Sequence, residues 1–139
     1  MLEKRPKKFE ILEHSADLKI RAFGKDKKEL FKNLMVGAQS ALRPEIIGRE
    51  TETKIKIDAE DLESLVVDFL DEINYLNEVN KEVYQRIEFE NFSDTGIEAE
   101  LFGKKVKRFG RQIKGVTFHD LDIHKEEDGS WQATILFDI

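Results

Sequence analysis

Seven apolar side chains, Leu62, Leu65, Val66, Phe69, Leu70, Ile73 and Leu76, recur at helical spacing through the middle of the chain. A stripe that wide has to be buried against another apolar surface. A second stripe, Leu30, Phe31, Leu34, Met35, Ala38 and Leu42, repeats the period until Pro44 ends it. Asp26 with Glu29 after it reads as an N-cap with its capping-box partner. Asp58 or Asp61 can cap the longer helix. Each predicted helix has one wet and one apolar face, so each should lie on a sheet.

The surrounding segments switch to a two-residue period. Phe9, Ile11 and Glu13 follow one face of a first strand, and Leu18, Ile20 and Ala22 mark a second. Thr51, Thr53, Ile55 and Ile57 alternate with charged neighbours. Ile87 and Phe89 precede a Ser93-Asp94-Thr95-Gly96 turn, and Ile97, Ala99 and Leu101 follow it as the second arm of a hairpin. His119, Leu121 and Ile123 lead into a turn at Glu126 to Gly129, from which Trp131, Ala133, Ile135 and Phe137 return. The order ββαβαββ followed by a final hairpin predicts an α+β two-layer sandwich. Its sheet should be mainly antiparallel or mixed, with both helices on one face.

No repeat, low-complexity run or linker divides residues 1–139, so one domain is expected. With 40% hydrophobic and 9% aromatic residues a packed core is within reach. The absence of cysteine excludes disulfides, thiolate metal sites and cysteine nucleophiles. No run approaches the ~18 apolar residues of a membrane helix, and the charged Met1–Lys8 segment lacks a signal-peptide core, so a cytoplasmic location is the expectation. A net charge of −6 disfavours non-specific binding of nucleic acid.

Candidate chemistry is sparse. Glu13-His14-Ser15-Ala16-Asp17 packs two acids and a histidine into one short turn. Asp17 there is either an ordinary turn former or an oxygen ligand for a cation. Asp138-Ile139 sets an acid beside the terminal carboxylate. The readings are a frayed end or a charge cluster that takes Mg²⁺ or Ca²⁺, hard cations suited to carboxylate and carbonyl oxygens. His14, His119 and His124 lack zinc-ligand spacing. Lys104 to Lys114, read as a loop, holds six basic residues in eleven positions, a solvated loop or a contact for phosphate or an acidic partner. Asp68, Asp71 and Glu72 sit away from most of the apolar stripe and read as a solvated helix face. No Gly-rich phosphate loop or Gly-x-Ser-x-Gly turn occurs.

The segment from Phe9 to Gly24, with Glu13-His14-Ser15-Ala16-Asp17 at its centre, resembles the opening of the archease family, which typically reads Glu-His-Thr-Ala-Asp there. Leu62 to Leu76 is similar to that family's second helix. Lys114-Gly115-Val116-Thr117-Phe118-His119 resembles its Lys-Ala-Val-Thr-Tyr-His block, and Phe137-Asp138-Ile139 its terminal Phe-Asp-Ile. The four blocks come in the family order and cover nearly the whole chain. Ser15, Gly115 and Phe118 depart from the usual Thr, Ala and Tyr, and Phe118 lacks the hydroxyl of the tyrosine. The connection around Lys104 to Arg111 looks shorter than in some relatives.

The resemblance implies a non-catalytic accessory protein. It would activate an RtcB-type RNA ligase in tRNA splicing by promoting ligase guanylylation and turnover, and would meet tRNA only through the ligase. It also implies a metal site at Asp17, Asp138 and the main-chain oxygen of Ile139, for a divalent cation with Ca²⁺ ahead of Mg²⁺. Two readings of other classes stand beside it. One is a small metal-dependent hydrolase with His14 or His119 as general base. The other is a plain protein-interaction domain.

Overall fold

A computed structural model describes residues 7–13 and 17–139. The elements run β1 (Phe9–Glu13), β2 (Asp17–Gly24), α1 (Lys27–Ala41), β3 (Pro44–Asp58), α2 (Leu62–Asn80), β4 (Glu82–Ser93), β5 (Gly96–Phe109), β6 (Gly115–Lys125) and β7 (Trp131–Asp138). The predicted order and the α+β sandwich class are both observed. The strands divide between two sheets, β1-β2-β7-β6 and β3-β5-β4, and every pairing is antiparallel.

Local chemistry explains where the helices begin. The Asp26 carboxylate accepts from the Glu29 N–H at 2.8 Å, and Glu29 Oε1 accepts from the Lys25 N–H at 3.1 Å. Of the two candidate caps for α2, Asp61 serves, accepting from the Ser64 N–H at 2.8 Å, while Asp58 ends β3. Between β2 and α1 the backbone turns so tightly at Gly24 that a Cβ there would strike the Leu30 nitrogen and the Asp26 carbonyl.

Both helices touch both sheets. α1 packs on β1, β2 and β7 on one side and on β4 on the other, and α2 meets β6 as well as β3 and β4. This explains a departure from the expected half-wet α1: it is buried nearly all round, with Lys28, Lys32 and Ser40 as its exposed residues. Phe31 of α1 lies 5.3 Å from Phe69 of α2 and 5.1 Å from Phe92 of β4, centroid to centroid. Truncating Phe31 to alanine should cost about 3–5 kcal/mol, because it empties the junction of three elements. The polar residues buried with it are paired. Gln39 and Asn77 exchange side-chain hydrogen bonds of 3.0 and 2.7 Å, and Gln39 Oε1 also accepts from the Tyr84 N–H. Burial pushes the Tyr84 hydroxyl up to about 12.

Three segments differ from the sequence reading. β3 begins at Pro44, well before Thr51, and carries a bulge between Ile46 and Glu50 where Gly48 takes φ +86°. The basic stretch is not a loop up to Arg108: Lys104 to Phe109 is the last part of β5, paired with β3, and only residues 110–114 connect onward. β6 pairs with β7 on either side of an insertion, since Thr117 faces Leu136 and Asp122 faces Thr134.

Candidate functional site

β2 and β7 are far apart in the chain and neighbours in the first sheet. Their pairing sets Asp17, the first residue of β2, opposite Asp138, the last residue of β7. The next pair, Leu18 and Phe137, is buried in the core. Strand alternation therefore puts Asp17 and Asp138 together on the opposite face, Asp17 half-buried and Asp138 exposed. Side chains directly opposite across an antiparallel pair stand about 4.5–5.5 Å apart at Cβ.

Asp138 is held from its other side as well. Gly115 of β6 is its partner there, and the Lys114 N–H donates to the Asp138 carbonyl at 2.7 Å. Ile139 follows, half-buried against the core. Neither the Asp17 nor the Asp138 carboxylate makes an ion pair or a side-chain hydrogen bond with a described residue. Two like charges in this position repel unless a counter-charge joins them.

The donor set has the chemistry of a hard-cation site: two carboxylates, with the main-chain oxygen of Ile139 next in the chain. Among the described residues no group of three or more histidine, aspartate and glutamate side chains is arranged to hold a metal. Side-chain ligation here would thus come from Asp17 and Asp138. His14, Ser15 and Ala16 lie outside the described residues, so the expectation for His14 as a base falls there.

The other sequence candidates are dispersed. His119 sits in the β6 insertion with its side chain 74% exposed and 3.4 Å from the Asp120 carboxylate. Asp120 takes φ +55°, a conformation that non-glycine residues adopt at a cost. Phe118 beside it is 57% exposed. His124 is bracketed by Glu126 and Asp122 at 2.7 and 2.9 Å, which raise its ring above 6.5. Of the basic residues, Lys105 donates to the Asn80 carbonyl at 2.9 Å and Arg108 pairs with Glu45 at 3.2 Å, while Arg108 and Arg111 both line a cavity of about 400 Å³ with Leu42, Asn74 and Phe109.

One contributor was read in the sequence only as a solvated helix face. The Asp71 carboxylate accepts from the Val116 N–H at 3.2 Å, one residue beyond Gly115. Desolvation pushes this carboxyl above its usual range; the Val116 hydrogen bond pulls the other way and the charge of Asp68 adds to the rise. Asn74, one turn further along α2, donates to the Ile113 carbonyl at 2.9 Å. Only their i, i+3 spacing at the edge of the apolar stripe could have signalled a shared target.

Residues 9–139 match the model of the archease protein family (MTH1598/TM1083). The chain belongs to the archease family. It is 34% identical over 142 residues to the archease of Methanosarcina barkeri, covering 96% of this chain and 97% of that one. The archease of Pyrococcus furiosus is 28% identical, covering 96% and 99%. The solution structure of protein 1598 from Methanobacterium thermoautotrophicum superposes with a TM-score of 0.65 at 25% identity, over 94% of this chain and 98% of that one. A crystal structure from Thermotoga maritima, described as an archease and possible chaperone, gives the same TM-score at 20% identity and shares the fold. Archease-family membership thus spans both strands that carry Asp17 and Asp138. No helix among the described residues is long and apolar enough to cross a membrane.

Proposed function

We propose that this archease-family protein is a non-catalytic helper that activates an RtcB-type RNA ligase in tRNA splicing, promoting its guanylylation and turnover. Asp17, Asp138 and the main-chain oxygen of Ile139 hold a divalent cation, Ca²⁺ in preference to Mg²⁺. The observation that carries the reading is the cross-strand pairing of Asp17 with Asp138, two carboxylates with no basic side chain joined to them among the described residues. When bound, the cation supplies a counter-charge to both carboxylates. The chain's own residues do the rest. β2 and β7 present the carboxylates at the end of the sheet, Lys114 holds the Asp138 carbonyl, and Ile139 anchors the end of β7 in the core. Among the described residues no nucleophile–base pair accompanies them, which favours a helper over a hydrolase using His119, whose side chain is largely exposed.

The decisive assay is guanylylation of the partner ligase with and without this protein. Asp17→Ala and Asp138→Ala should each lose most of the stimulation. Both variants stimulating as well as the native chain would refute the cation-centred mechanism.

A further inference from the structure

The end of β7 carries half of the candidate site, yet a final strand residue has few means of staying in place. Here the main chain of Asp138 is gripped by the connection that leads into β6. The Lys114 N–H donates to the Asp138 carbonyl at 2.7 Å, and Gly115 pairs with Asp138 across the ladder. That connection is in turn gripped from α2 on both sides of Lys114 and Gly115. Asn74 Nδ2 donates to the Ile113 carbonyl at 2.9 Å, and Asp71 Oδ1 accepts from the Val116 N–H at 3.2 Å. Ile113 is buried, so its side chain pins the segment from beneath. Gly115 has no side chain, and a Cβ added there would meet nothing within 4 Å, so side-chain packing does not fix its position. Gln112 adds an outer α2 contact, its Nε2 donating to Glu78 Oε1 at 2.9 Å, and Val116 packs partly buried against the core. Asn74 and Asp71 are the contacts that grip the main chain on either side of Lys114 and Gly115.

We propose that Asp71 and Asn74 are positioning residues for the Asp17–Asp138 site: α2 clamps residues 113–116, and through Lys114 that segment fixes Asp138 opposite Asp17. The clamp rests on the cation-site reading only in its consequence for affinity. Its mechanical part stands on the hydrogen bonds alone. Asp71 acts here as an acceptor for one N–H, so its charge is dispensable. An asparagine can present the same oxygen, and an alanine cannot.

The test uses the full chain and three variants, Asp71→Ala, Asp71→Asn and Asn74→Leu. The first readout is amide hydrogen exchange by NMR in chelator, with no cation present. The Lys114 amide should exchange about tenfold faster in D71A and N74L and near the native rate in D71N. The second is calorimetric titration with CaCl₂. Partners that orient metal ligands typically contribute 10-fold or more in affinity, so D71A and N74L should weaken binding about tenfold, with D71N within about twofold of native. Unchanged Lys114 exchange in D71A and N74L would overturn the clamp. Equal losses in D71A and D71N would overturn it too, because charge would then be the operative property. Native protein that takes up no Ca²⁺ would instead refute the cation-site reading, and the exchange rates would still decide the clamp.

Discussion

Two of the places where carboxylates crowd together differ in what stands beside them. On the outer face of the β3-β5-β4 sheet, Glu100 stands opposite Glu88 and within reach of Glu52 and Glu90. Basic residues are woven through that cluster: Lys54 is the cross-strand partner of Glu100, Lys56 lies 3.7 Å from Glu98, and Arg86 pairs with Glu88. The cost of crowding is spread over exposed, screened charges. At the end of the other sheet, Asp17 faces Asp138 with no such partner among the described residues. A surface that neutralises its acids locally needs nothing from outside. A pair at the meeting of two distant strands, with no basic partner among the described residues, is where an external cation has the most to offer.

The contrast breaks most clearly on cation-dependent stability. In CaCl₂ at about 100 times the dissociation constant, binding should add about 2.7 kcal/mol to the native protein, and Asp138→Asn should lose nearly all of it. Glu100→Gln should keep the full response. Thermal melts of the three proteins with Ca²⁺ and with chelator measure the difference, and an unaltered Ca²⁺ response in D138N would dissolve the distinction between the two acidic regions. A smaller effect of opposite sign follows from supplying the counter-charge internally. In chelator, Asp17→Lys should turn a repulsive cross-strand pair into an attractive one and stabilise by about 0.2–1 kcal/mol. A lower melting temperature for D17K than for the native chain in chelator would mean that Asp17 and Asp138 do not repel.

The two regions also differ in how readily the sequence revealed them. The stripes from Leu30 and from Leu62 announced both helices, because a burial pattern of period 3.6 survives any tertiary arrangement. The Asp17–Asp138 pair was half visible. Asp17 and Asp138 stood in family blocks, but their meeting depends on β2 pairing with β7, a long-range choice that no local pattern encodes. The clamp was hidden, since Asp71 makes its contact to a backbone N–H, and backbone donors leave no trace in composition. The basic end of β5 was hidden for a different reason. Of Lys104, Lys105, Val106, Lys107 and Arg108, only Val106 is buried, so charge on both faces erased the alternation that marks a strand. The bulges at Ile46 to Glu50 and at Thr117 to Asp122 break the two-residue period in the same way.

The crowded face makes its own, weaker prediction. The Glu100 carboxyl is raised above 4.5, mainly by desolvation and then by Glu52, with Lys54 opposing. A carboxyl that binds its proton more tightly when folded costs stability while ionised, and the cost disappears as pH falls through its folded value. Glu100→Gln should therefore melt slightly higher than the native protein at neutral pH and match it in acid. Because the face is exposed, added salt should shrink the gap. A gap that grows on acidification would reverse the sign and place the crowding at another residue.

The smallest effect belongs to a third arrangement, where the counter-charge is built in and titrates. His124 stands between Glu126 and Asp122, and both raise it above its ordinary value of 6.5. A raised histidine contributes stability that is fully present below its unfolded value and lost as pH rises through its folded one. His124→Gln should thus melt below the native chain at about pH 5–6, where the two acids are still ionised. It should converge with the native chain once the histidine is neutral. The ring is exposed, so the gap should be small and should close in high salt, as surface ion pairs do. Melting curves of the two proteins across that range, at low and high salt, check both statements. A gap that persists in alkali would show that His124 acts through packing, and the bracket of acids around it would then carry no electrostatic role.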